Sequence, residues 1–290
     1  MSAAARKVAV VIGSGSVKCA AAVGMLGVLE REGIGVDLLV GTSGGSLYAG
    51  LMAMGTDART CGEMARRLWT RDLTSQPNRR DQLAAIFPRL FGFSAEFGMR
   101  SDRPVMRRLR EVYRDVRIED TKIPLFLTAT DFENGEQVIL SEGSLVEAMR
   151  ASIAIPFVFR PRRLDGRLLV DGFLSDPLPV GVAVREGAGV ILAMGFESPY
   201  QSRIPSAARF AFQVSSIMTN NLLRSNFAFH NLAHHAEVLP IVPEFAERVR
   251  LFDTEKIPYV IEEGARATEE QIPYLRRLLA SETAASGSSS

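Results

Sequence analysis

The sequence predicts an α/β fold, a mostly parallel central sheet sandwiched by helices, on three observations. The runs Lys7 to Ile12 and Val36 to Val40 are almost continuously apolar and β-branched, the pattern of strands buried on both faces. Each passes through a glycine-containing turn into a helical pattern, Val17 to Glu32 and Gly44 to Met54, so the chain opens as two successive β-α units. Short apolar runs then recur between helical segments to the end of the chain.

After the opening units, the spacing predicts a helix over Arg59 to Arg71. Leu73 to Met99 mixes Pro77, Asn78, Pro88 and Gly92 with Ile86, Phe87, Leu90, Phe91, Phe93 and Phe97. Leu83, Ile86, Phe87, Leu90 and Phe91 have helical spacing but Pro88 breaks the hydrogen-bond ladder, so a short helix and a bend are expected. This aromatic segment is either a lid or part of the core. Arg103 to Arg114 reads as an amphipathic helix. Leu125 to Thr130 and Gln137 to Leu140 read as strands joined through Asn134-Gly135, a hairpin signal. A helix over Ser144 to Ala151 stops before Ile155-Pro156, and Leu168 to Val170 is a short strand leading into Asp171-Gly172. Val190 to Met194 and Val238 to Ile241 are the last strands, with a long helix over Ser206 to Asn231 between them and another over Ile257 to Ala280.

At 290 residues, 47% hydrophobic and 23% charged, the chain has the make-up of a globular protein with a substantial core. A single domain over residues 1–283 is expected, with a small, polar, disordered tail over 284–290. The net charge of +1 argues against a dedicated nucleic-acid binder. The two cysteines, Cys19 and Cys61, allow neither a disulfide framework nor a cysteine-rich metal site, and Cys19 reads as a small buried residue behind a glycine loop. Met1 to Lys7 lacks the apolar stretch and cleavage site of a signal peptide, and no later run is a convincing span. The expected location is therefore the cytoplasm, with peripheral contact at a membrane.

Two motifs carry chemistry. Gly41-Thr42-Ser43-Gly44-Gly45, between a strand and a helix, fits the G-x-S-x-G elbow, in which flanking glycines permit a turn tight enough to expose a serine hydroxyl. Gly13-Ser14-Gly15-Ser16-Val17-Lys18-Cys19, in the same setting, points backbone N–H groups into a small volume where they could stabilise an oxyanion. Each alone is a strand-to-helix turn; together they point to a serine hydrolase site. A dinucleotide fingerprint would need glycine where Lys18 stands and an acidic residue ending the second strand, and no G-K-[ST] closes a phosphate loop.

The residues leave the base open. His230, His234 and His235 crowd one late segment, and His230 and His234 lack any acidic HExxH partner, so a solvated helix end is their plain reading. Asp171 and Asp131 each end a strand, and spacing does not choose between them.

These motifs, with Ala151-Ser152-Ile153-Ala154-Ile155-Pro156, Asp171-Gly172-Phe173 and Asp176-Pro177-Leu178-Pro179-Val180, resemble the patatin-like phospholipases, particularly the short bacterial members, from about Lys7 to Val184. The resemblance implies a patatin-like fold and a Ser-Asp dyad, with Ser43 as nucleophile and Asp171 as base, and no histidine, metal or cofactor. It places the oxyanion hole on Gly13, Ser14, Gly15, Ser16 and Gly44, the donors being the N–H groups of Gly15, Ser16 and Gly44. Lys18 would orient the loop or attract a lipid phosphate, or simply be a surface lysine. The implied activity is hydrolysis of carboxylic esters of phospholipids or lysophospholipids, with transient contact at a membrane surface. Ser14 and Ser16 stand where the family often has glycine, Cys19 replaces a glycine, and Phe173 replaces a small residue. These departures make a catalytically weak, lipid-binding or regulatory module the rival expectation.

Overall fold

The computed structural model describes residues 6–70, 73, 76–198, 200, 203–233, 236–250 and 253–287. Its strands are β1 (Lys7–Ile12), β2 (Leu38–Thr42), β3 (Leu125–Asp131), β4 (Gln137–Leu140), β5 (Arg162–Leu164), β6 (Arg167–Asp171), β7 (Ala188–Met194) and β8 (Glu237–Ile241). They form one sheet in the order β5-β6-β3-β2-β1-β7-β8, with β4 also paired to β3. The ladder from β3 through β2, β1 and β7 to β8 is parallel; β4, β6 and β5 add antiparallel pairings at the other end.

The double burial expected of β1 is literal. Val8, Val10 and Ile12 enter one apolar cluster with α1 (Ala21–Arg31) and α2 (Gly44–Ala53), while Ala9 and Val11 enter a second on the opposite face with α8 (Val180–Arg185). The first cluster also takes α3 (Ala58–Leu68), α6 (Arg103–Tyr113), α7 (Leu145–Ser152) and α10 (Ile257–Glu269). Leu223 of α9 (Ala207–Ala233) joins the second.

Several boundaries differ from the sequence reading for identifiable reasons. The first helix opens as a 3-10 turn over Ser16–Ala20. The single strand expected at Leu168 is a hairpin, β5 to β6, turning on Asp165 (φ 48°) and Gly166 (φ 78°), the positive-φ pair that a two-residue Asp-Gly turn supplies. The short helix α8 was not expected. The C-terminal helix is broken into α10 and α11 (Ile272–Gly287), because Pro273 at the start of α11 cannot continue a helix. That helix runs past Ala284, where the sequence suggests an unstructured tail.

Within Leu73 to Met99 the bend at Pro88 is present, between α4 (Arg79–Ile86) and α5 (Pro88–Phe91). The core alternative fails: Ile86, Phe87, Leu90 and Phe93 are 67%, 50%, 79% and 57% exposed. The neck of the segment is fixed. Asn78 N–H donates to Met99 O (2.9 Å), and Met99 and Arg100 N–H donate to Phe157 O and Val158 O (3.0 and 2.9 Å). The Asp81 carboxylate accepts from Gly98 N–H (3.0 Å) and pairs with both guanidinium arms of Arg160.

Candidate active site

The turns after β1 and β2 lie side by side because the two strands run parallel in register, Ile12 opposite Gly41. β3 lies parallel to β2 with Thr128 opposite Thr42, and β6 runs antiparallel to β3 with Asp171 opposite Ala129. Counting across the sheet, Asp171 falls on the row one residue beyond Thr42, where Ser43 stands.

Ser43 has φ 52° and ψ −130°, a backbone that an L-residue adopts only under constraint. Its N–H donates to Ser152 Oγ (2.9 Å), and its carbonyl accepts from Ser46 Oγ (2.6 Å). The glycines permit the packing behind it. A Cβ on Gly44 would stand 2.9 Å from Ser16 N, and one on Gly45 would run into the carbonyl oxygens of Ile12 and Gly13.

Ser43 Oγ donates to Asp171 Oδ2 at 2.8 Å, while Asp171 Oδ1 accepts from Phe173 N–H at 3.1 Å. Asp171 is 0% exposed. Burial pushes its carboxyl from 3.8 up to about 7, against the smaller downward pull of those two hydrogen bonds. Thr130 Oγ1 donates to the Asp171 carbonyl (2.9 Å), and Asp171 N–H donates to Ala154 O (3.1 Å), so the main chain of Asp171 is held from both sides.

Asp131 is a turn residue: its carboxylate accepts from Glu133 N–H (2.9 Å). His230 lies on α9 and lines neither pocket at Ser43. Burial lowers the pKa of its imidazole. His234 and His235 lie outside the described residues.

Two of the five residues expected in the oxyanion hole are scaffold instead. Gly13 N–H donates to Met194 O (2.9 Å) and Ser14 N–H to Pro177 O (2.8 Å), so those donors are spent. Gly15, Ser16 and Gly44 lie around Ser43, with Ser16 reaching the positive φ (53°) that a glycine would adopt more easily. Cys19 is fully buried, its Sγ donating to Gly13 O at 3.3 Å, and burial raises its pKa well above the ordinary thiol value. Phe173 is accommodated because only Gly172 needs to lack a Cβ, which would strike Thr42 Oγ1. Lys18 clamps the loop: Nζ donates to Glu197 O (2.9 Å) and lies 5.4 Å from the centre of the Phe245 ring, and burial lowers its pKa.

Two pockets meet at Ser43, sharing Ser16, Ser43 and Ile155. The first is walled mainly by Leu47, Leu68, Trp69, Val105, Leu109 and Phe159. The second lies between the glycine-containing loop after β1 and α9. Arg150, 1% exposed, braces the first from behind, donating to Asp102 Oδ2 (3.1 Å) and Arg160 O (2.8 Å) and stacking on Phe159. Ser152, Thr130 and Arg150 were not singled out as site residues from the sequence. Ser152 falls inside the Ala-Ser-Ile-Ala-Ile-Pro run that carries part of the resemblance, which was the available signal.

Residues 10–184 match the patatin-like phospholipase family. The chain belongs to that family. It is 30% identical over 227 residues to an uncharacterized NTE family protein of Mycobacterium tuberculosis, covering 78% of this chain and 58% of that protein. It is 31% identical over 191 residues to patatin-like phospholipase domain-containing protein 6 of Homo sapiens, covering 64% of this chain and 13% of the relative. The structure is similar to that of VipD from Legionella pneumophila, at 15% identity and a TM-score of 0.47, covering 97% of this chain and 68% of that one. The chain thus spans little more than half the length of its mycobacterial relative and a small part of the human one. The patatin fold of the family accounts for the mostly parallel sheet flanked by helices described above.

Proposed function

We propose that this patatin-like protein is a lipid acyl hydrolase that cleaves carboxylic esters of phospholipids or lysophospholipids through a Ser43–Asp171 dyad. The observation that carries the reading is the 2.8 Å bond from Ser43 Oγ to a fully buried Asp171, at the point where two pockets meet, one almost wholly apolar and one lined by both hydroxyls and aromatic rings. Ser43 Oγ attacks the acyl carbonyl and Asp171 takes its proton. The developing oxyanion is held by N–H groups of Gly15, Ser16 and Gly44, and the alcohol leaves with the proton. Asp171 then draws a proton from water as its oxygen attacks the acyl carbon, and returns that proton to Ser43 Oγ as the bond to the acid breaks. A carboxyl that titrates near 7 is well matched to exchange that proton at neutral pH.

The exposed apolar side chains of α4 and α5, with Arg79, Arg80, Arg89 and Arg100 in the same segment, are read as a surface that enters a lipid interface. Among the described residues no helix is long and apolar enough to cross a membrane. A fluorophosphonate probe tests the enzyme against the binding-module rival. Labelling at Ser43, lost in Ser43→Ala together with turnover of a short nitrophenyl ester, is expected. A folded wild-type protein that neither labels nor hydrolyses would favour the rival.

A further inference from the structure

We infer that the pocket between the oxyanion loop and α9 is a binding site for a phosphate-bearing leaving group, with Arg250 as the phosphate ligand; the inference rests on Ser43 being the nucleophile. An ester straddles its nucleophile, so two pockets meeting at Ser43 divide the acyl chain from the alcohol. The first is walled mainly by aliphatic and aromatic side chains, its one cation, Arg108, being paired with Glu111 (3.0 Å), and suits the chain. The second carries hydroxyls, from Ser198, Ser215, Ser216 and Thr219, over an aromatic floor that includes Phe173 and Phe196.

Its charges do not balance. Lys18 and Arg250, the latter exposed at the pocket's rim, line it with one carboxylate, Glu197, which already pairs with Arg224 at 2.8 Å. Lys18 Nζ is committed to Glu197 O. The main-chain N–H of Arg250 is held by Asp253 Oδ2 (3.0 Å), whereas its guanidinium has no carboxylate partner among the described residues.

The wall is also fixed in place. Asn220, 0% exposed, donates to Ser198 O (3.0 Å) and accepts from Ser198 N–H (2.7 Å), tying that segment to α9. A guanidinium presents a planar fork of N–H groups that matches two phosphate oxygens, and neighbouring hydroxyls can donate to the third. A neutral alcohol would leave that fork facing water, so selectivity should follow the phosphate.

The test begins with calorimetric binding of sn-glycerol 3-phosphate, glycerol and inorganic phosphate to the Ser43→Ala protein, with and without Arg250→Gln or Arg250→Lys. Glycerol 3-phosphate should bind, at least about 10-fold more weakly after Arg250→Gln and with partial recovery in Arg250→Lys. Glycerol should bind far more weakly. With Ser43 intact, the kcat/KM ratio of a 1-acylglycerol 3-phosphate to the 1-acylglycerol of equal chain length should fall at least about 10-fold in Arg250→Gln, mainly through KM. Equal binding with and without Arg250, an unmoved ratio, or inorganic phosphate binding as tightly as glycerol 3-phosphate would overturn the proposal. Intact glycerol 3-phosphate binding in a protein that turns over no ester would sink the hydrolase reading and leave the phosphate site standing.

Discussion

Replacing Asp171 with asparagine should abolish hydrolysis and, above neutral pH, make the protein more stable. Among the described residues no cation pulls the Asp171 carboxyl down, and burial raises it from 3.8 to about 7. Between those values the folded chain holds a proton that the unfolded chain has released. Folding stability therefore falls as pH rises through that window, by about 1.4 kcal/mol per pH unit, and levels off above 7. The accumulated loss is about 4 kcal/mol. Asparagine fits the same contacts, its Nδ2 donating to Ser43 Oγ and its Oδ1 accepting from Phe173 N–H, and it carries no charge to desolvate. The advantage of Asp171→Asn should be near zero at pH 4 and grow to about 4 kcal/mol at pH 8, or about 7 °C in Tm for a chain of this length. Urea and thermal unfolding of both proteins at several pH values would measure it, alongside turnover of a soluble ester. The wild-type rate should rise through an apparent pKa near 7, because only the carboxylate can take the Ser43 proton. A stability gap that does not widen with pH, or an asparagine variant less stable at pH 8, would refute the reasoning.

Replacing His230, His234 and His235 together should leave ester turnover within about 3-fold of wild type, since Asp171 meets Ser43 directly; a loss as deep as that of Ser43→Ala would instead implicate a histidine. Phe91→Asp with Phe93→Asp should leave Tm unchanged, since both side chains are exposed, and should cut activity on anionic vesicles while sparing soluble esters. Each lost phenyl should cost about 2 kcal/mol of vesicle binding, read by co-sedimentation, and equal losses on both substrates would rule the docking surface out. Arg150→Ala removes a buried guanidinium that braces Asp102, Arg160 O and the Phe159 ring, and should destabilise by about 3 kcal/mol in urea unfolding.

What the sequence determined by itself is local. A nearly continuous apolar run placed β1 between two cores, because a strand's successive side chains go to opposite faces whatever it pairs with. Glycine spacing marked the elbow, because only residues without a Cβ allow the backbone approach seen at Gly44 and Gly45. The motif resemblance led to the family and to Ser43 and Asp171. The residues alone did not separate Asp171 from Asp131 or the histidines, since that choice depends on strand register across β2, β3 and β6, a non-local pairing. Ser152 escaped notice for the same reason: it reaches the Ser43 N–H from 109 positions away. The resemblance also placed Gly13 and Ser14 in the oxyanion hole beside the donors, and only tertiary structure shows their N–H groups spent on Met194 and Pro177. The aromatic segment around Pro88 had the right helical spacing, but such spacing looks alike whether a face meets the core or solvent. Packing decided that Ile86, Phe87, Leu90 and Phe93 stand exposed, because the neck tied by Asp81 to Arg160 holds the segment at its base and no element among the described residues covers them.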